Sequence, residues 1–305
     1  MKKWILRLLF LFIVTVMLAF TYYAYLIWSA AHRSYVPPEQ NKSDKRQEAI
    51  KIHEDPVAIL MLGVDERDED QGRADTIMIA AINPQDKDVI LTNIPRDTRV
   101  EIPGKEIKDK INHSYAYGGV ELTRKTVEHF LDLPIDGYVQ INMKGLKEIV
   151  DELDGIDVEV PFTFSYGGHT FKKGTMHLNG EETLAFARMR KEDPTGDFGR
   201  IQRQQEVIRA IIRKGTDWTT LTKLDTVMEK LGSNVKTDIS PFQLLQLQNR
   251  YANLPKENIK TIQFKGEDAT IDGIYYFRVP PEEVKRVREI LAEQLNYTSP
   301  PDSLY

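Results

Sequence analysis

A chain of 305 residues with 41 lysines and arginines against 46 aspartates and glutamates carries a net charge of −5. That balance excludes a generally basic surface and argues against nucleic acid as a partner. The chain has no cysteine, which excludes a disulfide framework and any thiolate zinc site.

The first predicted element is an uncharged run from Leu8 to Trp28, preceded by Lys2, Lys3 and Arg7. It is about as long as a bilayer-spanning helix of roughly 20 residues. Trp4 lies at one end and Tyr22, Tyr23, Tyr25 and Trp28 at the other, as interfacial aromatic belts do. The basic flank predicts a cytoplasmic N-terminus. The chain is then a single-pass type II protein of the cell membrane, with its bulk extracellular. A cleaved signal peptide ending near Ser29-Ala30-Ala31 is the competing reading; its apolar region is usually only about 7–15 residues long. Residues 1–7 are therefore expected as a cytoplasmic tail, 8–28 as a signal-anchor and 29–54 as a polar stalk, helical near Asp44 to Ile52. The remaining 55–305 suffice for one large domain with its own core.

Within that domain, Val57 to Val64 predicts a buried strand, followed by a charged loop from Asp65 to Asp75. Thr76 to Ile82 and Val89 to Ile94 predict two more strands, joined by the turn residues Asn83-Pro84-Gln85-Asp86. Helices are expected over Gly119 to Leu131 and Met143 to Leu153, with a strand over Asp136 to Ile141 between them. Gly155 to Val160 and the glycine-rich Tyr166 to Gly174 suggest strands and a hairpin. Asn179 with Glu182 three residues on marks a helix start. Ile201, Ile208, Ile211 and Ile212 give Phe198 to Arg213 an apolar helical face. Two or three helices and two short strands are expected between Asp217 and Leu295. The mixture predicts the α/β class, with a mixed or largely parallel central sheet flanked by helices.

Charged clusters punctuate the ends of these elements: Asp65-Glu66-Arg67, Arg73-Ala74-Asp75, Pro95-Arg96-Asp97, Arg188-Met189-Arg190 and Asp197-Phe198-Gly199-Arg200, running on to Arg203 and Gln204. Such loops are where α/β folds bind ligands. Gathered arginines suit phosphoryl oxygens, which the planar guanidinium grips in two-pronged fashion. Asp65 and Asp75 suit a hard divalent cation, or are solvated loop acids beside Glu66, Asp68, Glu69 and Asp70. Asp97 reads as an ion-pair partner of an arginine or as a base. Asp193 and Asp197 stand where either could accept a proton from an incoming hydroxyl, and Asp197 equally suits a helix cap. Arg99 and Lys110 are weaker cationic candidates. His113 has no nucleophile–base set around it.

In this order the motifs resemble the LytR-CpsA-Psr family. The match runs through Leu62-Gly63-Val64-Asp65, Arg73-Ala74-Asp75-Thr76, Ile94-Pro95-Arg96-Asp97-Thr98, Lys110-Ile111-Asn112-His113 and Tyr117-Gly118-Gly119. It continues through Leu178-Asn179-Gly180, Ala187-Arg188-Met189-Arg190 and Asp197 to Gln205, covering roughly 55–215. Asn93, where serine is common, and Asp154-Gly155-Ile156, for Gly-Gly-Val, depart from the pattern. The resemblance, strongest to the wall teichoic acid transferases of Gram-positive bacteria, implies a phosphotransferase. Such an enzyme takes an anionic glycopolymer from undecaprenyl diphosphate to peptidoglycan, forming a phosphodiester on N-acetylmuramic acid. It implies Mg²⁺, or Mn²⁺ in its place, on Asp65 and Asp75. It also implies a diphosphate held by Arg73, Arg96, Arg188, Arg190, Arg200 and Gln204, and a lipid tail buried between sheet and helices; Arg203, grouped with Arg200 on the same helix, is expected to bind the diphosphate with them. Asp75, Arg96, Asp97 and Asp197 become the catalytic candidates. Rival readings are a membrane-anchored transcriptional regulator, a non-catalytic lipid-diphosphate binder and a hydrolase of the carrier.

Overall fold

Nearly every residue of Val57–Val64 is apolar because this strand is covered on both faces. The computed structural model describes residues 35–36, 43–65, 72–190, 192–215, 234–251 and 254–299. In chain order the strand β1 (Val57–Val64) is followed by β2 (Ala74–Asn83), β3 (Asp88–Ile94) and the hairpin β4 (Arg99–Ile102) and β5 (Ile107–Lys110). Next come helix α1 (His113–Leu131), β6 (Gly137–Asn142), α2 (Met143–Glu152) and β7 (Ile156–Val160). The strands β8 (Phe164–Tyr166), β9 (His169–Phe171) and β10 (Gly174–Leu178) lead into α3 (Gly180–Arg188) and α4 (Asp197–Gly215). The C-terminal part holds β11 (Val235–Thr237), α5 (Pro241–Arg250), β12 (Ile259–Gln263), β13 (Glu267–Ile271), β14 (Ile274–Arg278) and α6 (Pro281–Gln294).

The central sheet has the order β11-β6-β1-β2-β3-β12. It is mixed: β1 runs parallel to β6 and β3 to β12, while β2 is antiparallel to both neighbours and β11 to β6. Alternation along β2 sorts the layers. Ile77, Ile79 and Ala81 pack with Val127 and Leu131 of α1 and Val287 and Leu291 of α6. Met78 and Ala80 face the other way, toward Ile208 and Ile212 of α4 and Leu247 of α5. A further core joins β7 and β10 to α2, α3 and α4 through Val150, Val158, Phe164, Phe171, Phe186 and Val207.

Several elements differ from expectation. Helix α1 begins at His113, a turn and a half ahead of the expected Gly119. Gly118 (φ −166°, ψ 25°) and Gly119 (φ 62°, ψ −152°) kink it, and the short leading piece has no apolar period to reveal it. The stretch Asp44 to Ile52 is turns and irregular chain, not helix. Its charges are committed to the body instead: Lys45 pairs with Asp132, Arg46 grips Asp136 through two hydrogen bonds of 2.9 and 2.7 Å, and Ser43 donates to Glu128. The C-terminal part is richer in strands than expected. Asp272 (φ 51°) and Gly273 (φ 78°) close the β13–β14 hairpin with the left-handed pair that such turns require. The run Leu8 to Trp28 lies outside the described residues; among those described, no helix is long and apolar enough to cross a membrane.

Candidate functional site

The strands β1, β3, β6 and β12 point the same way, so their C-terminal ends share one edge with the start of β2. That edge collects Asp65, Arg73, Asp75, Arg96 and Asp97. Beyond β1 the loop ends remain paired, Asp65 N donating to Arg73 O at 3.3 Å. The register steps from Gly63↔Thr76 to Val64↔Ala74, leaving Asp75 as the extra residue of a bulge. A bulge re-aims a side chain that strict alternation would send into a core.

From Asp75 a chain of alternating charges runs along the edge. Arg96 Nη1 donates to Asp75 Oδ1 at 2.6 Å, and Arg96 Nε lies 3.6 Å from Asp97 Oδ2. Lys110 Nζ donates to Asp97 Oδ1 at 2.7 Å. All four side chains are partly exposed. The backbone beneath is locked: Thr98 N and Oγ1 both donate to Pro95 O, Asn112 N to Arg96 O at 3.2 Å, and Phe277 N to Asp97 O at 2.8 Å. A cluster held this way presents charge without having to order itself first, which lowers the cost of binding.

One residue along from Asp75 begins an apolar cleft between sheet and helices. Leu62, Thr76, Met78 and Ile141 line it from the sheet, Leu146 and Leu184 from α2 and α3, and Val207 and Ile208 from α4. Among the described residues Arg188 is its one charged lining residue, and Gln204 and Asn142 add amides. Arg188 reaches it from the end of α3, a helix started by a reciprocal cap: Asn179 Oδ1 accepts from Glu182 N and Glu182 Oε2 from Asn179 N, each at 3.0 Å. Arg190 follows at an exposed position, and Arg200 sits one turn before Gln204 on α4.

Arg203 is a correction. Its side chain is only 2% exposed. The guanidinium donates to Phe186 O at 3.0 Å and to Met189 O, pairs with Asp193, and lies over the Phe164 and Phe186 rings. The reason is helical phase: Arg203 and Ala210 share the stripe of α4 that faces the α3 core, Gln204 and Ile208 face the cleft, and Val207 lies on the border of the two. Arg203 thus fastens the Arg188-Met189-Arg190 turn instead of meeting a ligand. Asp193 is likewise occupied as a base. Burial pushes its carboxyl up, but hydrogen bonds from Thr195 and Arg203 hold it below the ordinary range. Gly199 leaves it room, since a Cβ there would strike the Asp193 carboxylate. Asp197 opens α4, and its side chain lies outside the described ones.

Lys110 is more central than its weak sequence signal suggested. The aromatic strand β14 beside it, with Tyr275 exposed, is absent from the sequence reading, although Asp272-Gly273 ahead of Ile274-Tyr275-Tyr276-Phe277 signals a hairpin. His113 is structural: its Nδ1 lies 2.8 Å from Asp109 Oδ2, which also accepts from the Tyr117 hydroxyl at 2.7 Å. Among the described residues no group of three or more His, Cys, Asp or Glu side chains converges as a metal cage. Asp65 and Asp75 are two carboxylates on facing chain ends. That donor set fits Mg²⁺, which binds through one or two carboxylates and fills its shell with water and phosphate oxygens.

Fold and edge together define an α/β protein that presents fixed charge at the mouth of an apolar cleft, a shape suited to an anionic headgroup on a lipid chain. The chain belongs to the LytR-CpsA-Psr family: the LytR_cpsA_psr family model matches residues 22–293. It is 43% identical over 277 residues to the polyisoprenyl-teichoic acid–peptidoglycan teichoic acid transferase TagU of Bacillus licheniformis, covering 90% of each chain. Among solved structures it resembles B. subtilis TagV (39% identity, TM-score 0.73, 80% of this chain and 99% of that one). It also resembles TagT bound to LIIa-WTA (34% identity, TM-score 0.75, 86% and 100%).

Proposed function

We propose that this chain is a phosphotransferase that moves an anionic glycopolymer, wall teichoic acid, from undecaprenyl diphosphate to peptidoglycan, forming a phosphodiester on N-acetylmuramic acid. The observation that carries the reading is the Asp75–Arg96–Asp97–Lys110 array beside the cleft that Arg188 and Gln204 line. Such a site accepts a diphosphate at the edge and a polyprenyl chain in the apolar interior. The names of the relatives support the same substrates.

In the reaction, a hydroxyl oxygen of the acceptor sugar attacks the phosphorus that bears the polymer. The new oxygen–phosphorus bond forms as the bond to the bridging oxygen breaks, and polyprenyl phosphate leaves with that electron pair. The hydroxyl proton passes to a carboxylate, Asp97 or Asp197. Arg73, Arg96, Arg188, Arg190 and Arg200, with Gln204, spread the charge that builds on the phosphoryl oxygens. Arg96 orients Asp75 and Asp97 together, so one side chain ties the cation-binding carboxylate to the candidate base. Asp65 and Asp75 would hold Mg²⁺ or Mn²⁺, which when bound neutralises diphosphate oxygens. The apolar run Leu8 to Trp28 anchors the chain with the site outside the membrane, on the side of the cell wall.

The test uses the full chain in nanodiscs with a synthetic undecaprenyl-diphosphate-linked disaccharide, peptidoglycan oligomers and Mg²⁺. The expected product is a sugar phosphodiester on the glycan, detected by mass spectrometry and lost on chelation. Donor binding with no product would mark a binding protein, and free polymer phosphate with no glycan adduct a hydrolase.

A further inference from the structure

Beside the charged array lies a second recess that the diphosphate reading leaves without a role. It is a shallow surface recess lined by Pro95, Asp97, Phe198, Ile201, Tyr275 and Phe277. Two of its aromatic rings face solvent: Phe198 is 40% and Tyr275 44% exposed. Large apolar side chains left exposed at a concave site, next to a polar group, mark a binding surface. The rings are also held in place. Phe198 packs edge-on against Phe277 at 5.9 Å, and the Tyr275 hydroxyl donates to Asp268 at 2.7 Å. The hairpin that carries Tyr275 is registered to the Asp97 loop by the Phe277 N to Asp97 O bond and the Thr98–Phe277 bridge. Lys110 completes the connection: its ammonium bonds Asp97 and lies 5.6 Å from the Tyr275 ring centre.

We infer that this recess is the acceptor subsite, in which a pyranose ring of the glycan strand stacks on Tyr275 and Phe198 with a hydroxyl turned toward Asp97. The inference rests on the transferase reading and deepens it by naming where the second substrate sits. A sugar ring has an apolar C–H face and a hydroxyl rim, and a fixed aromatic wall next to a carboxylate and an ammonium matches both. Continuity decides between occupants. Asp97 belongs at once to the charged array and to the recess, and the recess shares no lining residue with the apolar cleft that suits the lipid, so a ligand here meets the diphosphate at its phosphorus end.

The experiment uses the full chain in nanodiscs, the lipid-diphosphate donor and a tetrasaccharide of alternating N-acetylglucosamine and N-acetylmuramic acid. Tyr275→Ala and Phe198→Ala each raise the acceptor KM by about tenfold or more while shifting donor Kd by less than about twofold. Tyr275→Phe, which keeps the ring, restores most of the lost acceptor affinity. Tyr166→Ala, an exposed aromatic on β8 outside the recess, leaves the acceptor KM unchanged. Matching melting temperatures exclude misfolding. Unchanged acceptor KM in both alanine variants overturns the subsite, and so does a donor Kd that rises in step, which would place the donor's own sugar here. If the wild type transfers to no glycan, the transferase reading fails separately. Saturation-transfer NMR with the tetrasaccharide then still decides the recess: binding lost in Tyr275→Ala supports it, and equal binding removes it.

Discussion

At the scale of single residues, two arginines of similar sequence character have opposite roles. Arg96 is partly exposed and bridges two carboxylates, so its pairs contribute little to stability, on the order of 0–1 kcal/mol each. Arg96→Ala is expected to lower transferase turnover by about 100-fold or more while leaving the melting temperature nearly unchanged. Arg96→Lys fares little better, because a single ammonium cannot span both partners. Arg203 is the converse. Removing it strands the buried Asp193 carboxylate and two backbone carbonyls. Arg203→Ala is therefore expected to cost about 3–5 kcal/mol of stability, read from denaturant unfolding. The two variants, assayed side by side, separate a ligand-facing cation from a structural one.

At the scale of elements, the helix starts matter because they aim the arginines. Asn179→Ala removes one half of the cap of α3 and is expected to cost about 1 kcal/mol. Gly199→Ala forces a methyl group against Asp193 in the first turn of α4 and is expected to cost about 1–3 kcal/mol, seen as a lower melting temperature. Most elements were legible in the sequence. The strand Val57–Val64 has the boundaries its apolar run predicts, and the capping pair Asn179 and Glu182 marks the start of α3. The short helical piece at His113 was not legible, nor was the turn structure near Asp44, since tertiary ion pairs decide it. The site divides in the same way. Asp75, Arg96 and Asp97 stand at strand ends that hydrophobic runs delimit, but the Lys110 partner comes from a neighbouring hairpin.

At the scale of the whole molecule, residues 43–46 and strand β11 are tied to the body through a buried polar group around α1. Burial pushes the Asp238 carboxyl up to about 6, against the hydrogen bond from Tyr138 N and the charge of Arg124; burial also raises Glu128. The native state therefore keeps a proton on Asp238 that the unfolded chain releases near pH 4. Stability from this group is full below about pH 4 and declines as pH rises to about 6, by roughly 3 kcal/mol at most. Asp132 and Asp193, which burial raises but hydrogen bonds hold low, act in the opposite sense and withdraw stability on acidification. Melting temperatures of wild type and Asp238→Asn compared between pH 4 and 7 separate the Asp238 effect from that of Glu128. Asp238→Asn is expected to gain relative to wild type as pH rises through that window.

The sequence by itself determined which segments are buried strands, where helices α3 and α4 begin, and that ordered arginines and aspartates close those elements. Local periodicity and capping chemistry act within a few residues of each position, so they are visible along the chain. Only the tertiary structure decided that Arg203 turns into a core while Gln204 turns to the cleft, and that Asp97 meets Lys110 and the rings of β14. Those outcomes depend on which neighbour each face packs against. Residues such as Asp97 and Phe277 lie far apart in sequence, and the packing that brings them together follows from the sheet order, which no local pattern encodes.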